Sequence, residues 1–266
     1  MDRGFVWVAQ NNSTTDYIEL SKLLADLIKK YNKHNQICII TDKAVEYENF
    51  DKVVILKEDY SKEQEWKKNN EWQVFNLTPF KHTIKLEADM LFTANTDWWW
   101  NYLHQYNMIF SYHVRCYRDK TVTRTPYRRL FERNNLPDVY NGLTYFRKSK
   151  KAQTFYNLCK EIMLNWPVVR NKFLVNCHDE EPTTDVVYAL ALKILDPLNE
   201  VRTKHDWFNF MHNKNAVNGL TQAFINDQYL YPMQIDEKIY VGGYRQSRIF
   251  HYHNKSIPEE LNARVF

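Results

Sequence analysis

Gly4-Phe5-Val6-Trp7-Val8-Ala9, followed by Gln10-Asn11-Asn12-Ser13-Thr14, sets the fold class. Six uncharged residues read as a buried strand, and the polar run as the loop that closes it. Within residues 16–31, Ile18, Leu20, Leu23, Leu24, Leu27 and Ile28 fall on one helical stripe. Ser13 or Thr14 is the expected cap. Ile37-Cys38-Ile39-Ile40 reads as a second buried strand closed by Thr41-Asp42, and residues 52–56 as a third. Strand, helix, strand, strand at this spacing predicts an α/β fold with a mixed, mainly parallel sheet flanked by helices. Ligands of such sheets bind beyond the carboxyl ends of the strands. The loops at 10–14, at Asp42 and at 87–89 are therefore expected to open on one crevice.

The third of these loops carries the chemistry. His82-Thr83-Ile84-Lys85-Leu86 alternates as a strand does and runs into Glu87-Ala88-Asp89. On a strand, side chains two apart share a face, so the two carboxylates are expected to converge. Paired carboxylates repel unless a cation lies between them, and Mg²⁺ or Mn²⁺ is the hard divalent ion for oxygen ligands. A solvated turn with two acids is the other reading.

Composition narrows the class. The 266 residues are 44% hydrophobic and 15% aromatic, enough for one large domain with its own core. No run of 18 apolar residues offers a membrane span. Met1-Asp2-Arg3 leads directly into the first strand, so no signal peptide is expected. Cys38, Cys116, Cys159 and Cys177 form no CxxC pair and read as reduced thiols of a cytoplasmic protein. With five glycines, none suitably grouped, a Walker A loop and a GxGxxG fingerprint are excluded, and there is no HExxH. Charge is uneven. Residues 113–151 hold eleven basic and three acidic residues, so this block carries +8 while the whole chain carries +4. Such a block fits a polyanionic partner or a solvated surface.

The remaining expectations follow the chain. Residues 61–75 read as a polar helix, and Asp97 as the cap of a helix beginning at Trp98. Trp98-Trp99-Trp100 reads as packing, and residues 108–110 as a strand. Tyr140-Asn141-Gly142-Leu143 reads as a turn entering a strand, where Gly142 serves the turn or lets backbone approach a ligand. Residues 149–166 read as one helix with Phe155, Leu158, Ile162 and Leu164 inward. The acidic loop at 177–185, with Glu181, leads into a helix at 186–195. There Asp185 is either a cap or a carboxylate aimed into the crevice. Residues 207–210 and 229–231 read as short strands, and Gly242-Gly243 as a bend. In Phe250-His251-Tyr252-His253-Asn254-Lys255 the two histidines share a face, for packing or for a metal and a phosphate.

This order of parts resembles the GT-A class of nucleotide-sugar glycosyltransferases, closest in style to glycogenin-like families and to glycosyltransferases of large bacteriophages. The resemblance implies a single GT-A-like (Rossmann-like) domain over 1–266, with a nucleotide-binding half to about residue 110 and an acceptor-binding half after it. Glu87-Ala88-Asp89 stands where the class has its DxD motif, with Glu as a departure. The implied metal ligands for Mn²⁺ or Mg²⁺ are Asp89, Glu87 and His251, with His253 as the alternative to His251. Lys255 falls near the diphosphate, Ala9, Gln10, Asn11 and Glu87 along the nucleotide, and Asp42 at its base. Asn141-Gly142 stands near an Asn-x-Gly segment of the glycogenin-like families, without the intervening residue. Asp185, with Glu181 before it, takes the place of the acceptor-side carboxylate. The implied reaction is transfer of a hexosyl or pentosyl group from a UDP-sugar to a hydroxyl.

The favoured acceptor is a hydroxymethylated base in double-stranded phage DNA, held by Arg115, Arg124, Arg128 and Arg129 with Asn141 and Gly142. A polysaccharide or lipopolysaccharide is the rival acceptor. A nucleotidyltransferase would want a glycine-rich loop after the first strand. A non-enzymatic nucleic-acid-binding protein would leave the carboxylates and the C-terminal histidines without a purpose. A metal-dependent nuclease would need no nucleotide sugar.

Overall fold

The computed structural model describes residues 2–62, 64–122, 128–196, 205–214, 232–235, 238–253 and 255. The chain runs β1 (Arg3–Val8), α1 (Tyr17–Tyr31), β2 (Gln36–Thr41), β3 (Lys52–Ile55), α2 (Val74–Leu77), β4 (His82–Lys85), β5 (Met90–Leu91) and α3 (Trp100–Leu103). It continues with β6 (Met108–Tyr112), α4 (Arg129–Arg133), β7 (Val139–Arg147), α5 (Lys150–Leu164), α6 (Trp166–Phe173) and α7 (Thr184–Leu195). Five short strands follow: β8 (Phe210–Asn213), β9 (Pro232–Ile235), β10 (Lys238–Val241), β11 (Tyr244–Arg245) and β12 (Ile249–Tyr252).

The main sheet has the order β3-β2-β1-β4-β7-β6. Its first four strands are parallel, and β7 is antiparallel to both β4 and β6. The expected mixed, mainly parallel sheet flanked by helices is thus present. Strand β1 is buried on both faces, which is why its sequence does not alternate. Phe5 and Trp7 pack with Ile18, Leu24 and Ile28 of α1, while Val6 and Val8 pack on the opposite side with residues of α5 and α7. Each such fully buried aliphatic side chain contributes about 1.5–3 kcal/mol. Trp7 Nε1 donates to Ser21 Oγ at 2.8 Å, pinning α1 to the sheet. Gly4 admits no side chain, since a Cβ would lie 2.5 Å from Phe80 and 2.6 Å from the Gln36 carbonyl oxygen.

Several local expectations change. Helix α1 is capped by Asp16, which accepts from the Ile18 and Glu19 N–H groups at 3.0 Å. Ser13 and Thr14 belong instead to a turn organised by Asn12. Residues 61–75 form a 3₁₀ helix at Lys68–Gln73 that continues into α2. Before it, the Asn70 and Ser61 side chains bond the backbone of Tyr60 and Asn69 and compete with a longer helix. Asp97 does not cap its helix, because its carboxylate takes Asn35 and Asn95. The helix expected over 149–166 breaks at Asn165, α6 restarts with Pro167 in its first turn, and Leu164 is exposed. Tyr140 to Leu143 lies inside strand β7 and is no turn. The strand expected at 207–210 begins only at Phe210, and the one expected at 229–231 lies outside the described residues. All four cysteines are free thiols. Among the described residues, no helix is long and apolar enough to cross a membrane.

Candidate metal centre and double cleft

Glu87, Ala88 and Asp89 occupy the turn between β4 and β5, so strand alternation is not what joins their carboxylates. The neighbouring strand does that. In the small sheet β5-β12-β8, His251 is in register with Met90, the residue after Asp89. The Tyr252 N–H also bonds the Asp89 carbonyl at 3.1 Å. His251 Nε2 thereby lies 3.2 Å from Glu87 Oε2 and 3.2 Å from Asp89 Oδ1. Among the described residues, these three are the one group of His, Cys, Asp or Glu whose ligand atoms lie within 4.8 Å of one another.

The spacing fits an ion. Donors about 2.1 Å from an octahedral cation stand about 3.0 Å apart, close to the observed separations. Two carboxylate oxygens and one imidazole suit Mn²⁺ or Mg²⁺. A cradle is also kept open for Glu87. A Cβ on Gly142 would meet Glu87 Oε2 at 3.0 Å and Met90 Cε at 3.0 Å. Gly142 reaches this place through a bulge. Phe110 pairs with Thr144, but Ser111 pairs with Tyr140, so Asn141, Gly142 and Leu143 are extra on β7. Bulges commonly re-aim side chains beside functional sites. Here Asn141 Nδ2 donates to Glu87 Oε1 at 3.0 Å.

The bulge is held from below and beside. Lys85 Nζ, fully buried, donates to the Asn141 carbonyl at 3.3 Å and pairs with Glu71 Oε2 at 2.8 Å. The Asn141 N–H donates to Asp185 Oδ1 at 2.9 Å, and Arg128 donates to Asp185 Oδ2 at 3.0 Å. Arg128 itself is buried over the Tyr140 ring, its guanidinium carbon 3.5 Å from the centroid. Asp185, in the first turn of α7, thus ties that helix to the bulge and does not cap it.

Charges around the cluster balance one another. Burial opposes the Asp89 carboxylate, but Lys255 and His251 hold its pKa far below the usual range. Burial also opposes the His251 cation, yet Asp89 and Glu87 raise its pKa. Lys255 pairs directly with Asp89. Burial, then Asp89 and Glu87, raises the Tyr17 hydroxyl.

Two clefts meet at the cluster. The first, about 470 Å³, is lined by Val8, Gln10, Thr14, Thr15, Tyr17, Trp66, Lys67, Glu71, Ala88, Asp89, His253 and Lys255. The second, about 500 Å³, is lined by Arg128, Leu130, Phe131, Tyr140, Asn141, Gly142, Asp179, Asp185 and Phe210. Lys68, Glu87, Thr184, His212, Lys214 and His251 line both.

Of the residues singled out in the sequence, the structure brings together Glu87, Asp89, His251, Lys255, Asn141, Gly142, Arg128 and Asp185. Gln10 is buried in the lining of the first cleft, donates to Asp42 and Asp59 and accepts from Asn70, while Asp42 itself lines neither cleft. Asn11 turns to the start of α1 and accepts from the Ile18 N–H. Ala9 is buried, with its N–H on the Ile40 carbonyl. His253 lines the first cleft but stands outside the three-residue cluster. Desolvation, then Lys214 and Lys255, pushes its imidazole down to about 4.

Glu181 is exposed and lines neither cleft, because it precedes the turn that aims Asp185 inward. Arg115 is drawn away into ion pairs with Asp119 and Asp206. Arg129 is exposed at the start of α4 and lines neither cleft, and Arg124 lies outside the described residues. Tyr17, Lys67, Lys68, Glu71, His212 and Lys214 were not singled out from the sequence. His212 had one legible signal, its alternation with Phe210, but its parallel pairing with β12 had none.

No family model matches the chain, and no curated protein sequence matches it. Among solved structures, the crystal structure of the glycosyltransferase GlyE in Streptococcus pneumoniae TIGR4 is similar over 76% of this chain, at 11% identity and a TM-score of 0.46. The chain spans 45% of that structure's length.

Proposed function

We propose that the chain is a metal-dependent glycosyltransferase that moves a sugar from a nucleoside diphosphate, UDP in the first instance, to an acceptor hydroxyl. The carrying observation is the Glu87, Asp89 and His251 cluster at the junction of two clefts, with Lys67, Lys68, Lys214 and Lys255 lining the first. The first cleft is of the size that holds a small ligand. Its lysines supply charge-assisted contacts to a diphosphate. Trp66, half exposed, offers a face to a nucleobase, and Gln10, held by Asp42, Asp59 and Asn70, adds a polar side chain to the same lining. A divalent ion held by the cluster would act as a Lewis acid on the leaving diphosphate. Lys255, already against Asp89, would place a second positive charge beside that leaving group.

The second cleft takes the acceptor in this reading. Phe131, Tyr140 and Phe210 supply apolar walls, and Asp185 orients Arg128 and the Asn141 backbone. Duplex DNA carrying a hydroxymethylated base remains the favoured acceptor, supported by the +8 block and by exposed Arg118, Lys120 and Arg129. A polysaccharide or lipopolysaccharide acceptor is the second reading. It is favoured by the engagement of Arg115 with Asp119 and Asp206 and of Arg128 with Asp185. A cytoplasmic location and a single-domain organisation belong to the same proposal.

Thermal melting with UDP, with Mn²⁺ and with both tests the donor side. A stabilisation that needs both and vanishes in Asp89→Ala is expected, and an unchanged shift in that variant would defeat the metal reading. Incubation with UDP-sugars and either hydroxymethylated DNA or lipopolysaccharide, followed by mass spectrometry, decides the acceptor. DNA transfer should weaken steeply with salt. Activity on DNA that is indifferent to salt would remove the basic block from the account.

A further inference from the structure

His212 stands outside the three-residue cluster, yet its ring touches that cluster's imidazole. Strands β8 and β12 run parallel, with His212 in register with His251. The two rings meet edge to face, with centroids 4.6 Å apart and planes at 85°. Their Nδ1 atoms lie 3.0 Å apart. Two imidazole nitrogens at that distance share one proton, and the question is which ring owns it.

The other end of His251 decides. Its Nε2 faces Glu87 Oε2 and Asp89 Oδ1, each at 3.2 Å. To bind a cation there, Nε2 must be bare, so the single proton of neutral His251 sits on Nδ1. His212 must then accept at Nδ1 and carry its own proton on Nε2. That Nε2 is screened from solvent and has no hydrogen-bond partner among the described residues. If His212 donated from Nδ1 instead, the His251 proton would move to Nε2 and occupy the ion's place. Phe210, two residues earlier on the same strand face, packs against both rings at 5.9 and 5.7 Å and limits their rotation.

We propose that His212 is the positioning residue of the metal centre: its Nδ1 accepts the Nδ1 proton of His251 and fixes the tautomer that presents Nε2 to the ion. Metal-binding histidines generally need such a partner, and here a second histidine takes the place that a carboxylate or carbonyl more often fills. The inference rests on the metal site proposed above.

The test compares Mn²⁺ affinity, measured by the paramagnetic resonance of free Mn²⁺ without substrate, in wild type, His212→Leu and His212→Asn. Leucine fills the space with no acceptor, while the asparagine carbonyl falls near the lost Nδ1. His212→Leu should bind about ten- to a hundredfold more weakly, and His212→Asn within about threefold of wild type. Equal affinity in His212→Leu, or an asparagine variant as weak as leucine, overturns the role.

Nitrogen-15 spectra of wild type, metal-free and with Mg²⁺, give a readout that no folding defect disturbs. A scalar coupling between the two Nδ1 atoms through the shared proton is expected, with the proton assigned to His251. Its absence, or a proton on His212 Nδ1 in the Mg²⁺ form, refutes the inference. Wild type that binds neither ion would instead defeat the metal reading itself, even where the coupling is seen.

Discussion

Replacing Gly142 with alanine probes the cradle for Glu87. The backbone of Gly142 is not in the left-handed region, so the consequence lies in the added methyl alone. That Cβ would stand 3.0 Å from Glu87 Oε2, 3.0 Å from Met90 Cε and 3.5 Å from Phe210 Cζ. Comfortable contacts begin near 3.5 Å, so Glu87 and Met90 must each give way by about 0.5 Å. Methionine yields readily. Glu87 does not, because its other oxygen is held by Asn141 at 3.0 Å.

Overpacking at the mild end costs about 1 kcal/mol, and loss of glycine's freedom in the unfolded chain returns about 0.4–1 kcal/mol. Metal-free stability should therefore stay nearly unchanged. Metal sites, in contrast, tolerate ligand displacements of only about 0.2 Å. Mn²⁺ affinity should fall at least about tenfold, which removes about 1.4 kcal/mol of the stabilisation that saturating Mn²⁺ confers. Melting of both proteins with and without Mn²⁺ reads the two effects separately. A Gly142→Ala protein that binds Mn²⁺ as tightly as wild type would refute the idea that the bulge exists to seat Glu87.

Three further outcomes are expected. Lys85→Met should destabilise the fold by about 3 kcal/mol, the low end for a broken buried pair because Glu71 keeps 14% exposure. Lys85→Met combined with Glu71→Gln should recover part of that loss in urea titrations, and a double variant no better than the single would count against the pair. Ser21→Ala should cost about 1–3 kcal/mol by stranding the Trp7 indole N–H in the core, again measured in urea. Burial lowers the His82 pKa, with Lys81 and Arg147 adding to it against Asp2. The fold therefore favours neutral His82, the unfolded chain binds more protons, and stability should decline as pH falls below about 6.5. His82→Asn should flatten that slope between pH 7.5 and 5, and superimposable profiles would exclude His82 as a contributor.

The strands were legible where burial alone shapes the chain. Residues 4–9 and 37–40 are apolar throughout because both faces of a central parallel strand are covered. Glu87, Asp89, His251 and Lys255 were legible as chemistry, since such groups seldom occur together without a partner. Their convergence was not legible for the reason first given: a turn and the pairing of β5 with β12 join them, and that pairing links segments far apart in sequence. The bulge at Asn141 was equally hidden, since only the register between β6 and β7 reveals the extra residues. The basic block misleads a reader of sequence because charge counts ignore partners. Arg115 meets Asp206, ninety-one positions later, and Arg128 meets Asp185, fifty-seven later.

The distance along the chain between Asp89 and His251 carries a thermodynamic consequence. An ion bound to both would act as a removable staple across a loop of about 160 residues, whose closure in an unfolded chain costs about 4–5 kcal/mol. Loading the site would then do for this chain, whose four cysteines are unpaired, what a long-range disulfide does elsewhere. Under limited proteolysis, chelator should free the strand bearing His251 before the central sheet gives way.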